Sequence, residues 1–154
     1  MKTTTSPILI LLFVFTFFSC KSATDTEQEN NSKSESSVSF ENNEEAVNSA
    51  LEWLALVDAG KYAESYDDAA SMFQKALSRD KWIETLNGLL PQYGKVIKRE
   101  VNSSKYYSEL PGAPAGEYVV IQFGTSFENK DNCIETVTPM KDKGKWKVSG
   151  YFIK

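Results

Sequence analysis

The chain has 154 residues and a mass of 17.3 kDa, which is enough for one globular domain and too little for two. Charged residues make up 25% of it and apolar residues 41%, values that exclude a collagen, a coiled coil and a multi-span membrane protein. The formal charge of −4 and the pI near 5.0 exclude the basic surface that nucleic-acid binding needs, so we expect no nucleic-acid partner. Because histidine is absent, Ser-His-Asp and Cys-His catalytic systems and histidine metal sites are also excluded, and we predict no metal and no cofactor.

The first 19 residues have the pattern of an export signal. Ile8 to Phe18 is an apolar run of eleven residues, interrupted only by Thr16. A membrane span needs about 20 apolar residues, so the run matches the core of a secretory signal instead. Ser19 followed by Cys20 resembles the bacterial lipobox, in which the cysteine is lipidated and becomes the new N-terminus. We therefore predict a lipoprotein signal peptide over residues 1–19 and lipidation of Cys20; the alternative is an ordinary signal peptide or a short N-terminal anchor.

The residues after Cys20 predict where the protein is held. Lys21 and Ser22 lack the aspartate that retains enterobacterial lipoproteins in the inner membrane, which favours an outer-membrane anchor facing the periplasm, with exposure at the cell surface as the alternative. Residues 21–43 contain six Ser, four Asn and five acidic residues, too polar a composition to form a core. We predict that residues 20–43 form a disordered tether with a reach of roughly 25 Å. Lipidation of Cys20 would leave Cys133 without a disulfide partner, so we expect Cys133 to be a buried apolar residue.

A single domain is predicted over residues 44–154, and it begins with helices. Apolar residues recur at helical spacing in three successive segments. Asn42 or Asn43 can cap the first helix, Gly60 can end it, and Ser78 can cap the third, which Pro91 stops. The three stripes are Val47, Ala50, Leu51, Leu54 and Val57; Tyr62, Tyr66, Ala69, Ala70, Phe73 and Leu77; and Trp82, Ile83, Leu86, Leu89 and Leu90.

After Pro91 the apolar period changes to two, which predicts strands. We expect strands over 96–102, 118–127, 133–138 and 146–153, with Tyr106 and Tyr107 extending the first or beginning another. In the last strand, strict alternation places Trp146, Val148 and Phe152 on one face. Helices followed by about four strands predict an α+β fold, in which the helices pack on the concave side of a bent antiparallel sheet.

Three segments carry a family resemblance: WLALVDAGKYAESYDDAASMFQKALSRDKW, LPGAPAGEYVVIQFGTSFENKDNCIETVTPM and GKWKVSGYFIK. In this order they resemble the bacterial domain of unknown function 4019 over about residues 46 to 154, with Tyr66 where that family has tryptophan. The family looks like a reduced relative of the nuclear transport factor 2-like superfamily of cone-shaped α+β domains. The resemblance implies this fold and no activity, because the superfamily includes isomerases, dehydratases, binding domains and interaction modules.

Five residues are candidates for a pocket inside such a cone: Tyr62, Tyr66, Trp82, Tyr118 and Glu135. The aromatic members could equally fill the core of a domain of this size. Glu135 alternates with Cys133 and Val137 and would be desolvated if it faced the helices, but the sequence does not say which face is inside. The basic turn around Lys143 is interpreted as a soluble hairpin tip beside an edge strand, rather than as a site for phosphate.

No constellation of catalytic residues is visible, so we predict a protein that is not an enzyme. The leading hypothesis is an envelope lipoprotein whose domain binds a small ligand or an envelope protein. One alternative is an enzyme of isomerase or hydrolase type that uses a buried carboxylate and a tyrosine. The other is an assembly module that forms a homodimer through its exposed sheet face.

Overall fold

The computed structural model describes residues 43–154, and the predicted signal peptide, Cys20 and nearly all of the predicted tether lie outside the described residues. In the described part of the chain four α-helices come first and an antiparallel sheet follows, so the predicted α+β class is confirmed. The helices are α1 (Glu44–Asp58), α2 (Tyr62–Asp68), α3 (Ser71–Ala76) and α4 (Arg79–Leu89), followed by a 3₁₀ turn (Leu90–Gln92). The strands are β1 (Val96–Tyr107), β2 (Tyr118–Phe127), β3 (Lys130–Asp142) and β4 (Lys145–Ile153).

The four strands form a meander in the order β1-β2-β3-β4. The bounds of β2 are those predicted, whereas β1 continues through Tyr107 and β3 is longer at both ends than the predicted 133–138. Lys143 and Gly144 form the turn before β4 with φ values of 51° and 80°, the backbone that a tight two-residue hairpin requires. Two-residue turns join β2 to β3 and β3 to β4, and residues 108–117 join β1 to β2, so the sheet follows the order of the sequence.

The core lies between the helices and one face of the sheet. The largest contribution from α1 is Trp53, which is fully buried, while Leu51 of the predicted stripe is 41% exposed. The buried stripe of α1 therefore runs through Ala46, Ala50, Trp53 and Val57. Opposite it, the sheet buries Val119, Ile121, Phe123, Val137 and Val148, with Trp82 and Leu86 of α4 in the same cluster. Cys133 is buried, as predicted.

Gly60 ends α1, as the sequence predicts. Its φ is 71°, a conformation that glycine adopts at little cost. The N–H of Gly60 donates to the carbonyl oxygen of Val57, and the N–H of Lys61 donates to the carbonyl oxygen of Leu56. These two bonds are the Schellman pattern, which satisfies carbonyls at the end of a helix. The reversal directs Tyr62 back toward α1 and leaves Asp58 at the helix end that faces β1.

The second apolar stripe is divided between two helices, and the prediction of one helix over 62–77 is wrong. Ala69 and Ala70 are extended, with ψ values of 162° and 149°. The N–H of Ala70 donates to the carbonyl oxygen of Val148 in β4 at 2.8 Å, and the N–H of Ser71 donates to the carboxylate of Asp142 at 2.6 Å. The break therefore occurs because the backbone pairs with the last strand, a contact between residues far apart in the sequence.

Strict alternation also fails in β4. The register slips between the pairs Thr138–Gly150 and Pro139–Val148, which marks a bulge at Ser149. Beyond the bulge, Tyr151 and Ile153 turn toward the core and Phe152 is 58% exposed. The prediction that Phe152 shares the face of Val148 is therefore wrong, because one extra residue reverses the direction of every later side chain.

Candidate functional site

Glu135 faces the helices, which answers the question that the sequence left open. It lies in β3 between Cys133 and Val137, and all three side chains are buried. Its side chain is only 1% exposed to solvent. A carboxylate in such a place needs a cation or several hydrogen-bond donors, because the interior does not solvate its charge.

Four hydrogen bonds reach the carboxylate of Glu135. Arg99 of β1 donates from Nε to Oε2 at 2.7 Å and from Nη2 to Oε1 at 3.2 Å. The hydroxyl of Thr125 in β2 donates to Oε2 at 2.6 Å, and that of Tyr151 in β4 donates to Oε1 at 2.7 Å. All four strands of the sheet therefore contribute a residue to this one network.

Arg99 also joins the sheet to the first helix. Its Nη1 and Nη2 donate to Oδ2 and Oδ1 of Asp58 at 2.6 and 3.0 Å, a bidentate pair at the C-terminal end of α1. The Arg99 side chain is 10% exposed and that of Asp58 is 33% exposed, so the pair closes the network at its solvent side. One cation stands between two carboxylates, and the three charges sum to −1.

Burial and hydrogen bonding shift the pKa values of two members of the network, Arg99 and Tyr151. Burial acts to lower the pKa of Arg99, but its hydrogen bonds to Asp58 and Glu135 outweigh burial and raise the pKa. Burial, and next the negative charge of Glu135, raise the pKa of Tyr151 far above neutrality. Tyr151 is therefore a neutral donor, and Arg99 remains a cation at physiological pH.

Aromatic side chains pack beside the network and share one polar residue. Trp53 and Trp82 lie 5.7 Å apart between ring centroids, and Tyr151 lies 5.6 Å from Trp53. The indole N–H of Trp53 donates to the carbonyl oxygen of Ser65 at 2.7 Å, and that of Trp82 donates to the Ser65 hydroxyl at 3.0 Å. Ser65, which is fully buried in α2, thus satisfies both indoles inside the core.

The structure distributes the predicted pocket residues over different places. Trp82 lies in the aromatic core beside Tyr151, which joins it to Glu135. The Tyr66 hydroxyl donates to the carbonyl oxygen of Leu77 at 2.8 Å, at the C-terminal end of α3. Tyr118 lies on the other face of the sheet from its neighbour Val119. The Tyr118 side chain is fully buried, and its hydroxyl donates to the carbonyl oxygen of Pro114 at 2.7 Å.

Tyr62 is the predicted pocket residue that lines a groove. This groove has a volume of about 220 Å³ and lies between α1 and the start of β1, with Asp58, Val96 and Phe127 among its lining residues. A larger and more open groove of about 460 Å³ lies between α1 and β4 and is lined by polar side chains such as Glu52 and Lys147. Neither groove is lined by Glu135 or Tyr151.

Sequence reasoning named Glu135 and missed Arg99. A signal for it was present: the chain has two arginines, and Arg99 is the one inside a predicted strand. A buried carboxylate requires a partner, and arginine is the cation best suited to bind carboxylates through two parallel hydrogen bonds.

Residues 43–154 contain no helix able to cross a membrane. No group of Cys, Asp and Glu residues in this part of the chain is arranged to hold a metal ion.

The comparison with known families supports the resemblance found in the sequence. The family described as Protein of unknown function (DUF4019) matches residues 49–151, which is more than half of the chain. The chain belongs to this family. The segment of this chain that matches DUF4019 contains every residue of the network, from Asp58 in α1 to Tyr151 in β4. No curated protein and no solved structure gives a match.

Proposed function

We propose that this DUF4019 protein is a lipid-anchored protein of the bacterial cell envelope whose domain binds a ligand or a protein partner without catalysing a reaction. The anchor is inferred from the apolar run that ends at Ser19 and Cys20. The non-enzymatic role is inferred from the coordination of Glu135. These two parts of the proposal are independent, and each has its own test.

The saturated carboxylate of Glu135 is the observation that carries the non-enzymatic role. A general base must present a lone pair to the proton it removes, within hydrogen-bonding distance of the substrate. Each oxygen of Glu135 already accepts two hydrogen bonds. Oε2 accepts from Arg99 and Thr125, and Oε1 accepts from Arg99 and Tyr151. The carboxylate therefore has a strong role in holding the sheet to α1 and little capacity left for a substrate.

A partner fits the described surface better than a drug-sized ligand does. Sites for such molecules are enclosed and measure about 300–1,000 Å³. The groove beside Tyr62 is smaller, at about 220 Å³, and the groove of about 460 Å³ is lined mainly by charged and polar side chains. These dimensions support a protein partner or a very small ligand as the molecule bound.

The enzyme hypothesis has one observation in its favour. Glu135 and Tyr151 form a carboxylate–phenol pair 2.7 Å apart, which is the combination that this hypothesis requires. Replacing Glu135 with glutamine separates the two roles, because a structural carboxylate and a catalytic one respond differently. We expect Glu135→Gln to lower the urea midpoint of unfolding strongly, since one acceptor oxygen is lost and Arg99 loses a counter-ion. A variant with parental stability would favour a catalytic carboxylate instead.

The anchor is tested by the mass of the mature protein. The protein is extracted from the membrane fraction with detergent, and its native mass spectrum is recorded. We expect an N-terminus at acylated Cys20, while a Cys20→Ser variant should remain unacylated and unprocessed. A mature protein that lacks acyl chains would overturn the anchor. A further small mass that survives gentle ionisation would identify a ligand.

A further inference from the structure

The two edges of the sheet differ in how far they are covered by the described part of the chain. The outer edge of β4 is covered, because Ala70 donates its N–H to the carbonyl oxygen of Val148 and the Ser49 hydroxyl donates to that of Trp146 at 2.9 Å. The other edge is β1, which pairs with β2 on one side. Most of the side chains of β1 are exposed, although it is a long strand of twelve residues.

Large apolar side chains and lysines are both exposed along this strand. The most exposed is Ile97, at 68%, and Tyr106 is 48% exposed. We define the β1 edge surface as the exposed residues Lys95, Ile97, Lys98, Val101, Lys105, Tyr106 and Tyr107. They follow one edge strand and project from both faces of the sheet, and exposed apolar groups along a single edge indicate a surface that is covered in use.

The chain enters the described domain beside the same strand. Asn43 precedes α1, is fully buried, and donates from Nδ2 to the carbonyl oxygen of Ser104 in β1 at 3.4 Å. The segment that links the domain to Cys20 is therefore attached at the β1 side. Only 22 residues separate Asn43 from Cys20, so a bilayer that holds Cys20 lies within reach of this edge.

From these observations we infer that the β1 edge surface docks on a bilayer that contains anionic phospholipid. This inference rests on the proposed lipid anchor. Tyrosine and lysine are suited to the boundary between headgroups and acyl chains, because each has an apolar body and a polar end. Lys95 and Lys105 add attraction to phosphate, and the Lys98–Glu100 ion pair, at 3.0 Å, lies between them. Attachment through Cys20 makes this contact intramolecular, so even a weak affinity for the surface suffices.

The backbone of β1 disfavours the other occupants of an open edge. Register shifts between Val96 and Lys98 and between Val101 and Ser103 interrupt the row of N–H and C=O groups that an added strand would use. Bulges and lysines are the features by which edge strands resist pairing with a second chain. Headgroups and interfacial water tolerate an irregular backbone, because they can adapt to each polar group.

The test uses the full mature protein reconstituted into vesicles. One set contains phosphatidylcholine alone and the other adds about 30% phosphatidylglycerol, which supplies the negative surface. Hydrogen exchange of the amides in residues 96–107 is compared with that in residues 145–153, which serve as an internal reference. We expect exchange of the β1 amides to slow by about fivefold or more on the anionic vesicles, and the protection to decrease at high salt.

A matched pair of variants separates the surface from general charge. Lys95→Glu with Lys105→Glu should abolish the protection, whereas Lys143→Glu with Lys145→Glu, the same change of charge at the β3–β4 turn, should retain it. If the β1 amides exchange at the same rate on both kinds of vesicle, the docking is overturned. Flotation of the protein with the vesicles reports the anchor separately. Protection already present in detergent would assign the edge to another part of this chain, and protection that grows with protein concentration would assign it to a second copy.

Loss of the anchor has a different signature. A protein without the lipid would not float with either vesicle, which contradicts the proposed anchor alone. The same chain is then added to an excess of anionic vesicles. Absence of β1 protection in that experiment would overturn the docking as well.

Discussion

Replacing Arg99 with methionine would leave the carboxylate of Glu135 buried without its cation. The two side chains are 10% and 1% exposed, so little water can take the place of the guanidinium. Removing one partner of a buried ion pair costs about 3–5 kcal/mol. Methionine keeps most of the apolar stem of arginine, so the loss reports the charge and its hydrogen bonds rather than a cavity. For a domain of this size the melting temperature should decrease by roughly 15 °C or more.

The assay is urea unfolding followed by tryptophan fluorescence, with two control variants. Asp58→Asn removes a partner that is one-third exposed, and such a pair is worth about 1 kcal/mol or less. The double variant of Arg99→Met with Glu135→Leu replaces the buried pair with apolar groups and should recover much of the loss.

Two results would refute this reasoning. If Arg99→Met unfolds at the urea concentration of the parent, the pair contributes nothing to stability. If Asp58→Asn costs as much as Arg99→Met, exposure does not govern the strength of these contacts.

Three further changes test other contacts. Ser65→Ala removes the hydroxyl that accepts from Trp82 and should lower the free energy of unfolding by about 1–3 kcal/mol, measured in urea; an unchanged value would mean that the indole finds another acceptor. Hydrogen bonding to the first residue of α3 lowers the pKa of Asp142, which stabilises the fold above the unfolded-state pKa of about 3.9 and is lost as the pH falls through the lower folded value. Asp142→Asn should therefore show a shallower loss of stability in acid than the parent, and parallel urea midpoints from about pH 6 to 2 would contradict this role. Gly60→Ala should destabilise the fold by about 1–2 kcal/mol because φ is 71° at this residue, whereas Gly88→Ala in α4 should stabilise it by about 0.5–1 kcal/mol. Both sites have space for a methyl group, so calorimetry of the two variants separates the effect of φ from that of added bulk.

The elements that the sequence predicts well are those whose determinants are local. Alternation in β2 from Tyr118 to Phe127 appears in its residues alone, and Ser78 caps α4 by accepting from the N–H of Lys81 at 3.3 Å. Gly60 and Gly144 mark their turns because glycine adopts a positive φ more readily than other residues. Fold class follows from these local signals, since helices followed by a meander can pack in few ways.

The features that were missed depend on contacts distant in the sequence. The helix break at Ala69–Ala70 is caused by Val148 in β4, and the reversal at Phe152 is caused by a bulge whose position the pattern does not encode. The candidate site shows the same division. Glu135 was noticed because a carboxylate is unusual in an apolar strand, but Arg99 looks like a surface cation until the pairing of strands places it opposite Thr125.

The contacts at the β4 edge also determine the order in which the chain can acquire its structure. The Ser49 hydroxyl in the first helix donates to the carbonyl oxygen of Trp146, which is 97 positions later. The N–H of Ala70 likewise donates to the carbonyl oxygen of Val148. A chain synthesised from its N-terminus cannot complete this interface until β4 has been synthesised. Because closing so long a loop is entropically slow, the domain should assemble only after β4 has left the ribosome. The early helices then remain open to chaperones until that point.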